Sequence, residues 1–163
     1  NQQALSRREA IDLAALVRQL EQGLQLRLQQ KQLRLRLIGQ GDVEGDPFLL
    51  GQAIENLLNN AIDFSPLGGE IRVSIKQSAD RMVLQVIDQG SGLPEYALDR
   101  VFERFYSLPR PLTGKKSSGL GLSFVQQICY LHQAQCRVFN RKAGPNQVLR
   151  GAVAQISLPL RQH

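Results

Sequence analysis

The chain has 163 residues, 42% of them hydrophobic and 21% charged, a balance that supports one folded domain and excludes wholesale disorder. No apolar run approaches the ~18 residues of a membrane helix, and no signal-like segment opens the sequence. The net charge of +6 comes from lysines and arginines scattered from Arg7 to Arg161, with Lys115-Lys116 the only tight lysine pair, so no nucleic-acid partner is expected.

The chain begins at Asn1 and its only methionine is Met82, which reads as a piece of a longer protein. Cys129 and Cys136 fit no zinc spacing and read as two reduced thiols. Residues 1–11 are polar and basic without a period and read as a truncated linker, leaving 12–163 as the domain. Asp12 is placed to cap a helix whose apolar residues Leu13, Leu16, Val17, Leu20, Leu24 and Leu28 follow the 3.6 period. Leu33, Leu35 and Leu37 alternate with Arg34 and Arg36 as a strand with one wet face, and a glycine-rich turn follows. Asp46-Pro47 then supplies a carboxylate cap and a proline at the first helical position, opening a helix to about Phe64 that Ser65-Pro66 and Gly68-Gly69 stop.

Ile71, Val73 and Ile75 mark a second strand and residues 81–88 a third, joined by a turn at 78–80. Leu98, Val101, Phe102 and Phe105 mark a short helix, whereas residues 107–118 carry two prolines and no period. A helix resumes near Gly121 with Leu122, Val125, Ile128 and Cys129 on one face, and strands close the chain at about 136–141 and 148–158. Strands and helices mix without a regular βαβ alternation. That predicts an α+β sandwich, a mixed and largely antiparallel sheet with helices on one face.

The 47–64 helix has an unusual composition. Leu50, Ile54, Leu57, Leu58 and Ala61 share one arc, and Gln52, Asn56, Asn59, Asn60 and Asp63 share the other. Asn56, Asn60 and Asp63 stand at i, i+4 and i+7, nearly above one another. Solvated faces are normally filled with Glu, Lys, Gln or Arg, and an interior Asn costs up to about 0.7 kcal/mol relative to Ala. Three asparagines therefore point to a need for amide oxygens, hard ligands suited to Mg²⁺; a plain solvated face is the alternative.

Two glycine loops follow. In Asp88-Gln89-Gly90-Ser91-Gly92-Leu93-Pro94 an aspartate at a strand end can accept from a ligand amine while the glycines let backbone approach closely. Gly119-Leu120-Gly121-Leu122 opens a helix, whose free N–H groups and positive dipole end make an anion site. It is neither a Rossmann fingerprint nor a P-loop, and Ser123 is no nucleophile elbow. Lys115-Lys116-Ser117-Ser118, just before it, offers cations and hydroxyls.

In order, ENLLNNAIDFS, DQGSGLP, VFERFYS and SSGLGLSFV resemble the N, G1, F and G2 boxes of the histidine-kinase branch of the GHKL ATP-binding superfamily (gyrase, heat-shock chaperone, histidine kinase, MutL), over about residues 12–160. NNAIDFSP, RVFERFYSLPR and KKSSGLGL are further similar to the Cre-type sensor kinases of enteric bacteria. The resemblance implies a Bergerat-type two-layer sandwich with ATP and Mg²⁺ as cofactors. It implies Asn56 and Asn60 as the catalytic amides, Asn60 as metal ligand, and Asp88 on the adenine amine. The nucleotide site would add Asp63, Phe64, Gly90, Gly92, Leu93, Phe105, Tyr106, Lys115, Lys116, Ser118, Gly119, Leu120, Gly121 and Leu122.

By the same resemblance the γ-phosphoryl group passes to a histidine on separate dimerisation helices and on to a response regulator. The parent would be a homodimer anchored in the inner membrane, with this domain in the cytoplasm. The chain departs from the pattern at Asp63, where such kinases often carry Lys or Arg, and at Lys116 and Ser117, which replace common G2 glycines. No histidine precedes the N box, so the phosphoacceptor is expected elsewhere; His132 reads as an ordinary helix residue and His163 as terminal. The ATPase branches carry a Glu four residues before the metal-binding Asn, where this chain has Asn56, and Glu55 is rotated about 100° off that face. The competing readings are a GHKL ATPase or a serine kinase, of which the missing base disfavours the hydrolase, and a non-enzymatic basic interaction module.

Overall fold

The computed structural model describes residues 5–103, 121–141 and 150–160. Its elements are β1 (Glu9–Asp12), α1 (Leu13–Gly23), α2 (Gln25–Gln30), β2 (Arg34–Gly39), β3 (Asp42–Gly45), α3 (Pro47–Phe64), β4 (Glu70–Ser78), β5 (Arg81–Ile87), α4 (Glu95–Leu98), α5 (Gly121–Leu131), β6 (Gln135–Asn140) and β7 (Ala152–Pro159). Among the described residues the large sheet runs β2-β4-β5-β7-β6, with β2 parallel to β4 and every other pair antiparallel. That is the expected mixed, largely antiparallel α+β sheet, and it does not close.

Period-two burial makes one face of this sheet the core wall. Ile71, Val73 and Ile75 of β4, Met82, Leu84 and Val86 of β5, and Ile156 and Leu158 of β7 are all buried. Against them lie Leu50, Ile54, Leu57, Leu58 and Ile62 of α3, with Leu13 and Val17 of α1 and Val125 and Ile128 of α5. Burying each such side chain stabilises the fold by roughly 1.5–3 kcal/mol. The other face is half exposed, and there Gln85 donates to Gln155 across the β5–β7 pair at 2.8 Å.

Both predicted caps form. Asp12 Oδ1 accepts from Ala15 N at 3.1 Å, and Asp46 Oδ1 accepts from Phe48 N and Leu49 N at 2.9 and 3.1 Å, with Pro47 at the first helical position. At the far end of α3 the Ser65 hydroxyl donates to Ala61 O at 2.6 Å, and the chain turns extended ahead of Pro66.

Four details depart from the sequence reading. The segment read as linker contains a strand: β1 pairs antiparallel with β3, a strand the glycine-rich turn concealed, and the partners Ile11 and Val43 are both buried. The long first helix is two, broken at Leu24 (φ −104°, ψ 6°) directly after Gly23. The short helix expected from Leu98 to Phe105 starts earlier, at Glu95–Leu98, and up to Glu103, the last described residue there, continues as single turns in which Arg100 N donates to Ala97 O and Glu103 N to Arg100 O. His132 is no ordinary helix residue. It sits just past the end of α5, 3% exposed, with Nε2 accepting from Asp46 N at 3.0 Å and Nδ1–H donating to Ile128 O at 2.8 Å. It thereby ties the end of α5 to the start of α3.

Candidate functional site

The asparagine face of α3 looks toward the start of α5. Asn56 Nδ2 donates to Gln52 O one turn back at 3.0 Å, which fixes the amide. Its Oδ1 then stands so near Gly121 that a Cβ there would lie 2.9 Å from it. The first residue of the second glycine loop's helix therefore meets the first asparagine of the N box. Asn60, one turn on, and Asp63 and Phe64 beyond it are half-buried on α3. Leu122 packs against the core from α5.

At the other end Asp88 leaves β5 and is buried. Its Oδ1 accepts from Gly90 N at 2.9 Å and from Ala152 N at 3.1 Å. Burial pushes its carboxyl above the ordinary range, opposed by these two N–H donors and by the positive charge of Arg141. Both hydrogen bonds go to one oxygen, and the backbone N of Asp88 is itself held by Ala152 O at 3.0 Å.

The glycine loop after Asp88 is fixed by close approach. A Cβ at Gly90 would overlap the Phe64 carbonyl oxygen, so the end of α3 and the loop meet there. Gly92 has φ +80°, which an L side chain rarely adopts. Leu93 is clamped twice by Asn140 at the end of β6: Leu93 N donates to Asn140 Oδ1 and Asn140 Nδ2 donates to Leu93 O, each at 2.8 Å. Gln89 Oε1 accepts from Glu70 N at 2.8 Å, tying the loop to the start of β4.

A basic pair reaches the C-terminal half of α3 from α2 and the turn after it. Arg27 donates to both Asn59 Oδ1 and Asp63 Oδ1. Lys31 Nζ donates to Ile62 O at 2.6 Å and to Asp63 O at 3.3 Å, filling carbonyls at the helix end. Burial lowers the Lys31 pKa, with Asp63 opposing and Arg27 adding to the effect.

Gln52 and Asn59, placed by sequence on the ligand arc, are used otherwise. Asn59 is taken by Arg27. The Gln52 side chain joins Glu55 in a groove of about 490 Å³ between α1 and α3, beside Leu16, Leu20 and Phe48. Glu55 is thus exposed and turned off the asparagine face, as its 100° offset predicts. Among the described residues no three His, Cys, Asp or Glu side chains gather as a metal site, so an ion here would need amide and phosphate oxygens. Phe105, Tyr106, Lys115, Lys116, Ser118, Gly119, Leu120, His163 and the aperiodic 107–118 segment lie outside the described residues.

Arg27, Lys31 and Asn140 were missed by sequence reading. Arg27 and Lys31 are ordinary polar positions of an amphipathic helix and its following turn, and Asn140 lies 47 residues from the loop it clamps. No local signal marks any of them.

The family described as histidine kinase-, DNA gyrase B-, and HSP90-like ATPase matches residues 45–162. The chain is 43% identical over 155 residues to the sensor protein CreC of Escherichia coli (strain K12), covering 94% of this chain and 31% of that protein. It is 34% identical over 164 residues to the sensor protein SphS of Synechococcus elongatus, covering 95% and 38%. It therefore spans about a third of the length of these relatives. Among solved structures it is similar to a mycobacterial sensor histidine kinase MprB, at a TM-score of 0.78 and 30% identity over 96% of this chain and 100% of that one. No helix among the described residues is long and apolar enough to cross a membrane. These likenesses show that the chain belongs to the histidine kinase-, DNA gyrase B-, and HSP90-like ATPase family, and that it is similar to the corresponding part of sensor kinases.

Proposed function

We propose that this domain binds ATP with Mg²⁺ between α3, the Asp88 loop and the start of α5, and presents the γ-phosphoryl group to a histidine on separate dimerisation helices. The observation that carries the reading is the placement of Asn56 against Gly121, which sets an amide oxygen beside the start of α5, with Glu55 turned away. A helix start favours phosphate through free N–H groups and the dipole. The second Asp88 oxygen accepts an N–H of the adenine amine, whereas a guanine carbonyl oxygen at the same place has no hydrogen to donate. Asn60 would hold the ion together with phosphate oxygens, and Asn56 lines the same face. When bound, Mg²⁺ neutralises phosphate charge.

Phe64, Gly90, Gly92, Leu93 and Leu122 shape the pocket. An amide at position 56 has no usable basicity, so water is not activated and ATP is kept until an imidazole arrives. Transfer then depends on positioning and charge neutralisation. His132 is unsuited as acceptor, being buried with both ring nitrogens engaged.

The parent works as an anchored homodimer whose dimerisation helices pass the phosphoryl group to a response regulator. The test is twofold. Calorimetric titration of this chain should show Mg²⁺-dependent ATP binding with negligible turnover. Labelled ATP should leave the chain unlabelled while matched dimerisation helices, supplied in trans, take up acid-labile phosphate. Turnover above background, or label on His132 or His163, counts against the proposal.

A further inference from the structure

Asp63 puts a carboxylate on the face where the proposed ligand, a polyanion, is to lie. It stands seven residues beyond Asn56, about 10 Å along the helix at ~1.5 Å per residue. One end of that stretch is the contact of Asn56 with Gly121, the phosphate side. The other is the contact of the Phe64 carbonyl with Gly90, the Asp88 side. Asp63 thus lies at the Asp88 end of the stretch, next to Phe64, with the phosphate side about 10 Å away, a distance of about one Debye length over which a bare carboxylate still repels a polyanion.

We infer that Arg27 on α2 is a positioning residue for the nucleotide: it masks the Asp63 carboxylate and holds Asn59 and Asp63 toward α2, leaving the face open to the phosphate chain. Arg27 is bonded to both side chains at once, as a planar guanidinium does and a lysine ammonium does less well. Lys31 sits beside them on the Ile62 and Asp63 carbonyls, so the cluster is cationic overall. The Arg27 and Asp63 side chains keep 40% and 27% of their exposure. An ion pair so solvated contributes little to folding, so its removal should register in binding.

The inference rests on the nucleotide reading above, and the experiment separates the two. MgATP, MgADP and adenosine are titrated against the parent chain, R27Q, D63N, the R27Q/D63N double variant and R27K, with thermal unfolding confirming that each is folded. R27Q should weaken MgATP about tenfold, the size of one partly solvated charge interaction, MgADP less, and adenosine not at all. The double variant should return to within about threefold of the parent, because no carboxylate is left to mask. R27K should lie between the two. R27Q binding MgATP as the parent does, losing adenosine in the same proportion, or failing to recover in the double variant overturns the inference while the nucleotide reading stands. A parent chain that binds no nucleotide overturns both.

Discussion

Around Asp88 the proposed site is walled by main chain, whereas along α3 it is walled by side chains. The Asp88 carboxylate is met by the N–H groups of Gly90 and Ala152, and the loop behind it is set by the Asn140 clamp on both main-chain groups of Leu93. Sheet register decides where those N–H groups stand: Ala152 is there because β7 pairs with β5 and β6 in one register. The α3 face is instead made of Asn56, Asn60 and Asp63, half-buried and attended by the long side chains of Arg27 and Lys31. Main-chain walls recognise shape and donor pattern and tolerate little change. Side-chain walls are tuned by charge, one residue at a time.

The sharpest way to break the contrast is Asp88→Asn. The amide can keep accepting the two N–H groups through its oxygen, so the fold should survive. Its NH₂ then faces the adenine amine, donor against donor, and ATP affinity should fall about a hundredfold. Calorimetry together with a thermal unfolding curve checks both halves. Unchanged affinity would place the adenine pocket elsewhere.

On the α3 side Asn60→Ala should weaken ATP about tenfold in Mg²⁺ and hardly at all in chelator, since only one of several ion ligands is removed. Equal losses under both conditions would mean that Asn60 touches nucleotide and not metal.

Asn140→Ala tests the main-chain wall at one remove. Two hydrogen bonds vanish and Leu93 keeps an unpaired N–H and C=O, so stability should drop about 1–2 kcal/mol, read by urea unfolding. ATP affinity should fall only a few-fold.

The smallest effect lies outside the site, at the His132 tie between α5 and the cap of α3. Burial lowers the His132 pKa below 6.5, against the Ile128 carbonyl and Asp46, with Arg8 adding to the fall. Protonation would also turn Nε2 from the acceptor of Asp46 N–H into a second donor. With the folded pKa below the unfolded one, the unfolded chain binds the proton first. Stability from this group is complete above pH 6.5 and is lost as pH falls from there through the folded value. Urea midpoints across pH 5–8 should decline on the acid side, and His132→Gln should flatten that part of the curve. A parallel decline in the variant would assign it to other groups.

Much of this was legible beforehand because its signals are local. Asp12 and Asp46-Pro47 announce helix starts through backbone groups three residues away, and alternation in 71–75 and 82–86 announces strands through side-chain period. The arc of asparagines and the offset of Glu55 follow from 3.6 residues per turn. The strand hidden in the amino-terminal segment was not legible, because its four residues have no period of their own. They become a strand only when Ile11 meets Val43 across the fold.

From the sequence alone came the α+β class, the caps, the four motifs in order and the family they resemble, since each depends on a few neighbouring residues and on backbone sterics that do not change with context. Tertiary structure alone decided which long-range partners those residues meet. Arg27 reaches Asp63 across 36 positions, Asn140 reaches Leu93 across 47 and Asp46 reaches His132 across 86. Such partners are polar side chains that many positions could supply. The pairing is chosen by sheet order and helix packing, which bring together groups whose own neighbourhoods say nothing of each other.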